Sequence, residues 1–358
     1  MTRPLPRSDL QTLTGYHSPQ LEVEIRLNTN ESPFPPPDAF VDAWLAELRA
    51  AALHRYPDRA AIELRDAIGR TVGQPRERVF AANGSNEVLQ TLLLTYGGPG
   101  RRALVFEPTY ALHAHIARIT GTEVITAHRT DEFSIDRDHA VALIRDHRPD
   151  IVFVCSPNNP SGTVEPPESI TAIVEAADAL VVVDEAYGEF AADSALTLVS
   201  DDRALVVSRT YSKVWSLAGL RLGFAVGPTW LVEELDKVVL PYHLDAATQI
   251  AGRVALDFVA EMEGRVHRLI EERERLFTAL LDADGVEVFP SGANFLLFRC
   301  AGRGREVWQG LVDRGILIRD FSSWPGVEDC LRVTIGTPEE NDRFWSSLQA
   351  VLRESEPT

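Results

Sequence analysis

The fold is decided by residues 151–187, which read IVFVCSPNNPSGTVEPPESITAIVEAADALVVVDEAY. Two continuous apolar runs, at 151–155 and 180–183, flank an amphipathic stretch at 168–177. Strands that are apolar on both faces are typical of parallel sheets covered by helices, and a helix between two such strands lets them run side by side in one direction. The stretch therefore predicts a strand–helix–strand unit within a buried parallel sheet.

The same alternation continues in both directions along the chain. Further strands are predicted at 79–81, 103–106, 123–126, 205–208 and 223–226. Helices are predicted between several of them, at 87–96, 110–120 and 137–146. We therefore expect an α/β fold with a mostly parallel, seven-stranded sheet sandwiched by helices.

The two ends of the chain follow a different pattern. Residues 1–40 are irregular and proline-rich, which predicts an arm that packs with a smaller domain. The large domain is expected to span 41–245, and the small α+β domain 246–358, beginning with a long linking helix at about 246–281. Other helices are predicted at 39–52 and 60–72, and the small domain's strands at 286–289, 295–299, 316–319 and 331–335.

Composition excludes several classes of protein. The 358 residues are 45% hydrophobic and 25% charged, as in a globular protein, and the formal net charge is -18. Such an acidic chain lacks the basic surface that nucleic acids and anionic membranes require, although a few arginines in a cleft can still bind an anionic substrate. We find no apolar run of about 20 residues and no apolar core of a signal peptide, so we expect a cytoplasmic protein that crosses no membrane.

The cysteines argue against both a disulfide framework and a zinc site. There are three of them, Cys155, Cys300 and Cys330, far apart and without a CxxC spacing. We therefore expect buried, reduced thiols and no metal.

The candidate site lies at the carboxyl ends of the predicted strands, where open α/β sheets bind ligands. After the strand at 79–81 come Gly84, Ser85 and Asn86, at the start of a helix. Glycine permits close approach of a ligand and a helix start presents free N–H groups, so these residues suit a phosphate; an ordinary serine helix cap is the alternative. Asn159, in the turn after the next central strand, either points its amide into the site or only serves the turn.

Two further strand ends carry ionisable side chains. Asp184 ends a buried strand, where a carboxylate is costly unless a cation meets it, and Tyr187 follows three residues later. Lys213 follows the strand at 205–208, where loss of solvation would lower its pKa and make it a nucleophilic amine. Additional phosphate donors in the same region are Thr210, Ser212 and Arg221.

Taken together, these side chains describe one ligand, pyridoxal phosphate. Asp184 would keep the ring nitrogen protonated, Asn159 and Tyr187 would hydrogen-bond the phenolic oxygen, and Lys213 would form the Schiff base. The catalytic residues are then expected to be Lys213, Asp184 and Tyr187. The phosphate would be held by Gly84, Ser85, Asn86, Thr210, Ser212 and Arg221.

Four motifs make the chain resemble fold-type-I aminotransferases of the aspartate aminotransferase superfamily. They are NPSG at 159–162, DEAY at 184–187, SRTYSK at 208–213 and GLRLGF at 219–224. Other stretches resemble the histidinol-phosphate aminotransferase subfamily: LNTNESP at 27–33, RYPD at 55–58, CSPNNPSG at 155–162, LPYHL at 240–244 and LRVTIGT at 331–337. One departure is Ser85–Asn86, where the family often has Ala-Asp, and it removes a negative charge beside the cofactor phosphate.

The resemblance implies further roles for individual residues. Arg332 and Arg319 would hold the substrate phosphate, and Tyr110 would stack on the pyridine ring. Tyr56 would reach the cofactor phosphate of a second subunit, which implies a homodimer with shared active sites. Tyr16 and Asn30 would lie on the substrate side.

The reaction implied is a transamination between L-histidinol phosphate, as amino donor, and 2-oxoglutarate, the 2-oxo acid acceptor, in histidine biosynthesis. Three alternatives remain open at this stage. The same scaffold could serve an aromatic amino-acid aminotransferase, with Arg332 on a carboxylate, or a phosphothreonine decarboxylase. A non-catalytic pyridoxal-phosphate-binding regulator would need an added basic DNA-binding module, and this acidic chain has no spare basic segment for one.

Overall fold

The computed structural model describes residues 4–11, 13, 15 and 20–354, which form two sheets with helices packed around them. The strands are β1 (Ile25–Leu27), β2 (Val79–Ala82), β3 (Arg102–Glu107), β4 (Glu123–His128), β5 (Ile151–Cys155), β6 (Leu180–Asp184), β7 (Leu205–Thr210), β8 (Gly223–Val226), β9 (Glu287–Val288), β10 (Phe295–Arg299), β11 (Ile316–Asp320) and β12 (Cys330–Thr334). The helices are α1 (Asp38–Ala50), α2 (Ile62–Val72), α3 (Gly84–Tyr96), α4 (Leu112–Thr120), α5 (Arg137–His147), α6 (Pro167–Ala176), α7 (Thr229–Val238), α8 (Ala246–Ala255), α9 (Val259–Leu281), α10 (Gly304–Val312) and α11 (Pro338–Glu354).

The larger sheet has seven strands in the order β2-β8-β7-β6-β5-β3-β4. Neighbouring strands from β4 to β7 pair in parallel, whereas β8 is antiparallel to both β7 and β2. Every residue of β2, β5, β6, β7 and β8 is buried, which explains why these strands are apolar except at the carboxyl ends of β6 and β7. The predicted seven-stranded, mostly parallel α/β sheet is confirmed.

The smaller sheet has the order β1-β11-β12-β10-β9. Its strands β9 to β12 pair antiparallel, and β1 adds to its edge in parallel with β11. The sequence analysis predicts no strand in the N-terminal arm, so β1 is an element that the prediction missed. Three residues are too short for a recognisable alternation, and β1 is defined by Ile25 and Leu27 facing Ile316 and Ile318.

The predicted long helix at 246–281 is also different, because the chain forms two helices there. A 3₁₀ turn at Leu256–Phe258 separates α8 from α9. The Phe258 ring meets Phe40 of α1 edge-on, with 6.0 Å between ring centroids. The stretch contains no proline that would indicate a break in the helix. The 3₁₀ turn, which is tighter than an α-helical turn, coincides with this ring contact instead.

Helix ends follow local sequence signals. The Asp245 side chain accepts a hydrogen bond from the Thr248 N–H and caps the start of α8. Gly121 ends α4 in the left-handed conformation, at φ 82°. Among the described residues, no helix combines the length and the apolar character that crossing a membrane requires.

Candidate active site

One cavity of about 370 Å³ lies where β5, β6 and β7 end, and the smaller sheet supplies its far wall. It collects most of the side chains predicted from the sequence. These are Asn30, Ser85, Asn86, Tyr110, Asn159, Asp184, Tyr187, Thr210, Ser212, Lys213, Arg221, Arg319 and Arg332. Because parallel strands end at the same edge of the sheet, residues far apart in sequence converge here.

Lys213 supplies the only amine in this cavity among the residues that line it. Its Nζ donates a hydrogen bond to the Thr29 carbonyl oxygen at 3.0 Å and lies 5.6 Å from the centre of the Tyr187 ring. Burial of the ammonium, with help from the nearby Arg332 guanidinium, lowers the pKa of Lys213 to about 7. A large share of the Lys213 side chains therefore carries a neutral, nucleophilic amine near pH 7.

Asp184 is held by a histidine that the sequence analysis does not identify. The buried His113 Nε2 lies 2.9 Å from Asp184 Oδ2, and the other carboxylate oxygen accepts the Ala186 N–H at 3.2 Å. The His113 ring stacks on Phe153, with centroids 4.9 Å apart, and meets Tyr110 edge-on. His113 therefore fixes the orientation of the carboxylate at the base of the cavity.

Tyr187 and Asn159 connect the centre of the cavity to the N-terminal arm and to the smaller sheet. The Tyr187 hydroxyl oxygen accepts from Asn30 Nδ2 at 2.9 Å, so its own hydrogen remains a donor. Burial raises the pKa of Tyr187 to about 12, which keeps the hydroxyl protonated. Asn159 Oδ1 accepts a hydrogen bond from Arg332 Nη1, so its amide NH₂ remains a donor as well.

The start of α3 and the loop after β7 form a polar pocket at one end of the cavity. Arg221 Nη1 donates to Ser212 Oγ at 3.2 Å, and Thr210 Oγ1 donates to the same oxygen at 3.0 Å. Gly84 has φ +77°, and a Cβ at this position would lie 2.7 Å from Arg221 Nη2. Gly84 thus leaves room for the guanidinium beside the first turn of α3, whose N–H groups have no partner within the helix.

Two arginines lie side by side in the wall of the cavity that the smaller sheet forms. Arg319 of β11 and Arg332 of β12 are register partners and both are buried. Arg332 Nη2 donates to the Asn28 carbonyl oxygen at 2.9 Å, and its guanidinium lies 5.4 Å from the centre of the Phe321 ring. The cavity is therefore cationic in spite of the acidic chain, and it suits an anionic group.

Two predicted residues lie outside this lining, and a third is not among the described residues. Gly84 is behind Arg221 and is not among the residues that line the cavity. Tyr56 is 81% exposed and stacks on Tyr242, with ring centroids 4.5 Å apart, outside the cavity of its own chain. Tyr16 lies outside the described residues.

Several residues that line the cavity, or that support it from behind as His113 does, are missing from the sequence prediction. His113 follows Tyr110 by three residues, a spacing that places both on one face of a helix and could have identified it. The Thr29 and Asn28 carbonyl oxygens could not be found, because main-chain groups leave no side-chain signal. Phe321 and Trp324 also line the cavity, beside the two arginines.

The arrangement fits a phosphorylated pyridine aldehyde such as pyridoxal phosphate. Gly84 opens space at a helix start where Arg221, Ser212 and Thr210 gather, which suits a phosphate. An oriented carboxylate and a partly neutral amine line the same cavity, as a pyridine nitrogen and an aldehyde require.

Comparison with known proteins gives the family. The family model for aminotransferase class I and II matches residues 22–348. A histidinol-phosphate aminotransferase from Mycobacterium avium is 46% identical, over 98% of this chain and 90% of that protein. Another from Streptomyces avermitilis is 47% identical, over 97% of this chain and 96% of that protein.

A solved structure agrees with the fold. The histidinol-phosphate aminotransferase of Sinorhizobium meliloti, in complex with pyridoxal-5'-phosphate, superposes with a TM-score of 0.89. The superposition covers 98% of both chains at 23% identity, so it supports the fold alone. With the family match and the two relatives, it leads to one assignment: the chain belongs to the class I and II aminotransferases, in the histidinol-phosphate aminotransferase group.

Proposed function

We propose that the protein interconverts L-histidinol phosphate and 2-oxoglutarate with imidazole-acetol phosphate and L-glutamate, a step of histidine biosynthesis. One observation carries the proposal. A single cavity combines the Lys213 amine, with a pKa of about 7, the oriented Asp184 carboxylate, and the buried pair Arg319 and Arg332. The Lys213 amine and the Asp184 carboxylate are groups that transamination with pyridoxal phosphate requires. The two arginines suit a substrate with a phosphate at one end.

Pyridoxal phosphate, when bound, supplies an aldehyde that condenses with amines and a ring that accepts the electron pair left at the substrate Cα. We assign its phosphate to the pocket of Ser85, Asn86, Thr210, Ser212 and Arg221. Support comes from the convergence of these side chains beside the helix start.

The ring of the cofactor is assigned to the residues at the centre of the cavity. Asp184 holds a proton on the ring nitrogen, and His113 keeps that carboxylate in place. Tyr187 and Asn159 donate hydrogen bonds to the phenolic oxygen, since each keeps a free donor after its contact within the chain. Tyr110 stacks on the ring face.

Lys213 has two tasks in this proposal. It would hold the cofactor covalently through Nζ, and its neutral amine, when free, would take up the proton from the substrate Cα. Burial supports both, because it lowers the pKa of the amine to about 7 and so matches a general base to neutral pH.

Arg319 and Arg332 bind the phosphate of the substrate. Two guanidiniums match the charge of a phosphate dianion, and the contacts of Arg332 to Asn159 and to the Asn28 carbonyl hold one of them in position. Asn30, which holds Tyr187, is assigned to the substrate side of the cavity together with Tyr16.

We further propose that the protein is a homodimer in which Tyr56 enters the active site of the second subunit. The exposed Tyr56–Tyr242 stack, with Leu240 76% exposed nearby in sequence, forms an apolar surface that a partner would cover. Domains at 41–245 and 246–358, with an arm at 1–40, are also proposed. In support, all strands of the larger sheet lie within 41–245, whereas the smaller sheet combines β1 of the arm with four strands from 246–358. A cytoplasmic location is proposed because the cysteines are free thiols.

A comparison of substrates tests the reaction. The purified protein loaded with pyridoxal phosphate should absorb visible light, and the absorbance should change on addition of histidinol phosphate or L-glutamate. The value of kcat/KM for histidinol phosphate should exceed that for phenylalanine by at least about 100-fold, because a carboxylate leaves part of the arginine pair unused.

Other outcomes would identify the rival reactions. Equal or higher kcat/KM for phenylalanine would indicate an aromatic amino-acid aminotransferase. Release of CO₂ from phosphothreonine without transfer of the amino group would indicate a decarboxylase. A protein that binds the cofactor but turns over none of these compounds would contradict the proposal altogether.

A further inference from the structure

A second cavity, of about 550 Å³, lies behind the active site, between the larger sheet and helices α2 and α9. We call it the rear cavity; its lining includes Glu189, Tyr211, Val214, Trp215, Phe224 and Met262. Successive residues at the end of β7 and just beyond it alternate between the two cavities, because Thr210 and Ser212 line the active site whereas Arg209 and Tyr211 line the rear cavity. The two cavities therefore lie on opposite sides of one segment of chain.

The body of the rear cavity is apolar and largely aromatic. Tyr211 is fully buried, and its ring centroid lies 5.4 Å from that of Trp215 and 6.0 Å from that of Phe224. Met262 of α9 is 2% exposed and closes the opposite side. Rings and a flexible thioether around an open space favour a ligand with a small aromatic or aliphatic body.

Two buried polar atoms among the residues that line this cavity have no hydrogen-bond partner in the described part of the chain. They are the Tyr211 hydroxyl oxygen and Glu189 Oε2. Buried polar groups are seldom left without a partner, because removing one from water costs free energy that only a new hydrogen bond offsets. The Glu189 carboxylate oxygen accepts, and the Tyr211 hydroxyl accepts as well as donates, so a hydrogen-bond donor can satisfy either atom.

The charges around the cavity select a cationic donor. Arg209 forms ion pairs with Glu185 at 2.8 Å and with Glu189 at 3.5 Å, so one guanidinium faces two carboxylates. Glu263 adds a third carboxylate at the rim, beside His267. Burial raises the pKa of Glu189, as expected of a carboxylate that lacks sufficient positive charge around it.

We propose that the rear cavity binds a small hydrophobic molecule with one ammonium group, whose N–H donates to Glu189 Oε2 or to the Tyr211 hydroxyl oxygen while its apolar body packs on Trp215, Phe224 and Met262. An anion would be repelled by the carboxylates around the cavity, and a neutral molecule without an N–H or O–H group could not donate the hydrogen bond. The site does not depend on the reaction catalysed in the front cavity.

The probe for a test is N,N-dimethyl-2-phenylethylamine, a tertiary ammonium that cannot condense with an aldehyde. Titration calorimetry on the protein loaded with pyridoxal phosphate should show one site per chain, with weaker binding of neutral 2-phenylethanol and of the anion 3-phenylpropionate. At least one of Tyr211→Phe and Glu189→Gln should raise Kd about tenfold, because it removes the oxygen that accepts the single N–H of the probe. Met262→Trp should block binding by filling the space.

Two matched controls locate the probe. Glu261→Gln changes an exposed carboxylate of α9 that is not among the lining residues, and it should leave Kd unchanged. Arg332→Met alters the front cavity and should also leave it unchanged. The proposal is overturned if Tyr211→Phe and Glu189→Gln bind the probe normally, if Arg332→Met loses binding, if the anion binds as tightly as the ammonium, or if no binding occurs at millimolar concentrations.

Discussion

Lys213 and Lys237 are the only lysines in the chain, and they lie in opposite environments. Lys213 faces the active-site cavity, where burial lowers its pKa to about 7. Lys237 projects from α7 with 64% of its side chain exposed and pairs with Glu234. The chemistry of the buried amine can therefore be followed almost without background.

The pH dependence of Lys213 is directly measurable. In the cofactor-free protein with Lys237→Arg, the rate of Lys213 modification by an amine-selective reagent should rise with pH and reach half its maximum near pH 7. The reason is that only the deprotonated amine reacts, and a lowered pKa moves its appearance to lower pH. Peptide mass mapping at each pH gives the rate and separates the α-amino group.

The control is Lys213→Arg in the same background, which should abolish the labelled peptide. A midpoint close to the ordinary lysine value of about 10.4 would show that Lys213 is solvated in solution and would contradict its assignment as a general base near neutral pH.

At this scale the sequence predicts most of the side chains that line the cavity and none of its main-chain groups. Lys213, Asp184 and Arg221 follow apolar strands, and the topology of a parallel sheet brings such positions together. The Thr29 carbonyl oxygen that holds Lys213 depends instead on the path of the arm. That path is set by contacts with residues about 290 positions away, which no local pattern encodes.

At the scale of secondary-structure elements, the strand β1 connects the N-terminal arm to the site. Its pairing with β11 sets the position of residues 28–31, which line the cavity directly after it. Only alternate residues face the core, since Ile25 and Leu27 are buried and Arg26 between them is exposed. The sequence patterns predict the long buried strands but not β1, because this short strand is stabilised by its pairing with β11.

Leu27→Ala tests the role of β1. Removing a side chain that is 2% exposed should lower the free energy of unfolding by about 2–5 kcal/mol and weaken retention of pyridoxal phosphate, because the arm loosens over the cavity. Denaturant unfolding and equilibrium dialysis of the cofactor measure the two effects.

Arg26→Ala, on the exposed face of the same strand, is the matched control and should change the free energy of unfolding by no more than about 0.5 kcal/mol. Should both variants behave alike, the packing of β1 would not be what holds the arm.

At the scale of the whole molecule, two features matter: the distribution of charge and the assembly of subunits. The chain carries a formal charge of -18, yet its active-site cavity contains Lys213, Arg221, Arg319 and Arg332 against the acidic Glu31 and Asp184. The overall charge therefore indicates which ligands the protein surface repels, but it does not indicate which ligands the active-site cavity binds. The proposed second subunit belongs to this scale as well.

Mixed dimers of two inactive variants test whether Tyr56 acts across an interface. Lys213→Ala should abolish turnover and Tyr56→Ala should lower it at least about tenfold, since it removes a hydrogen bond to a charged phosphate. When the two are refolded together, half of the dimers are mixed and each contains one complete site, so about a quarter of the wild-type activity per chain should return.

Equal amounts of each variant refolded separately and then combined provide the control. Activity in the mixed sample no greater than in this control would mean that Tyr56 serves its own chain or none, and the shared-site arrangement would have to be abandoned.

The scarcity of lysine has a practical consequence. Lys237 lies near the end of α7, and the described residues that line the active-site cavity come from other parts of the chain. With the cofactor protecting Lys213, amine-coupling chemistry would attach the enzyme to a bead or to a single dye mainly through this one position and the α-amino group. The molecules attached through Lys237 would then present their catalytic cleft to the solution in nearly the same orientation.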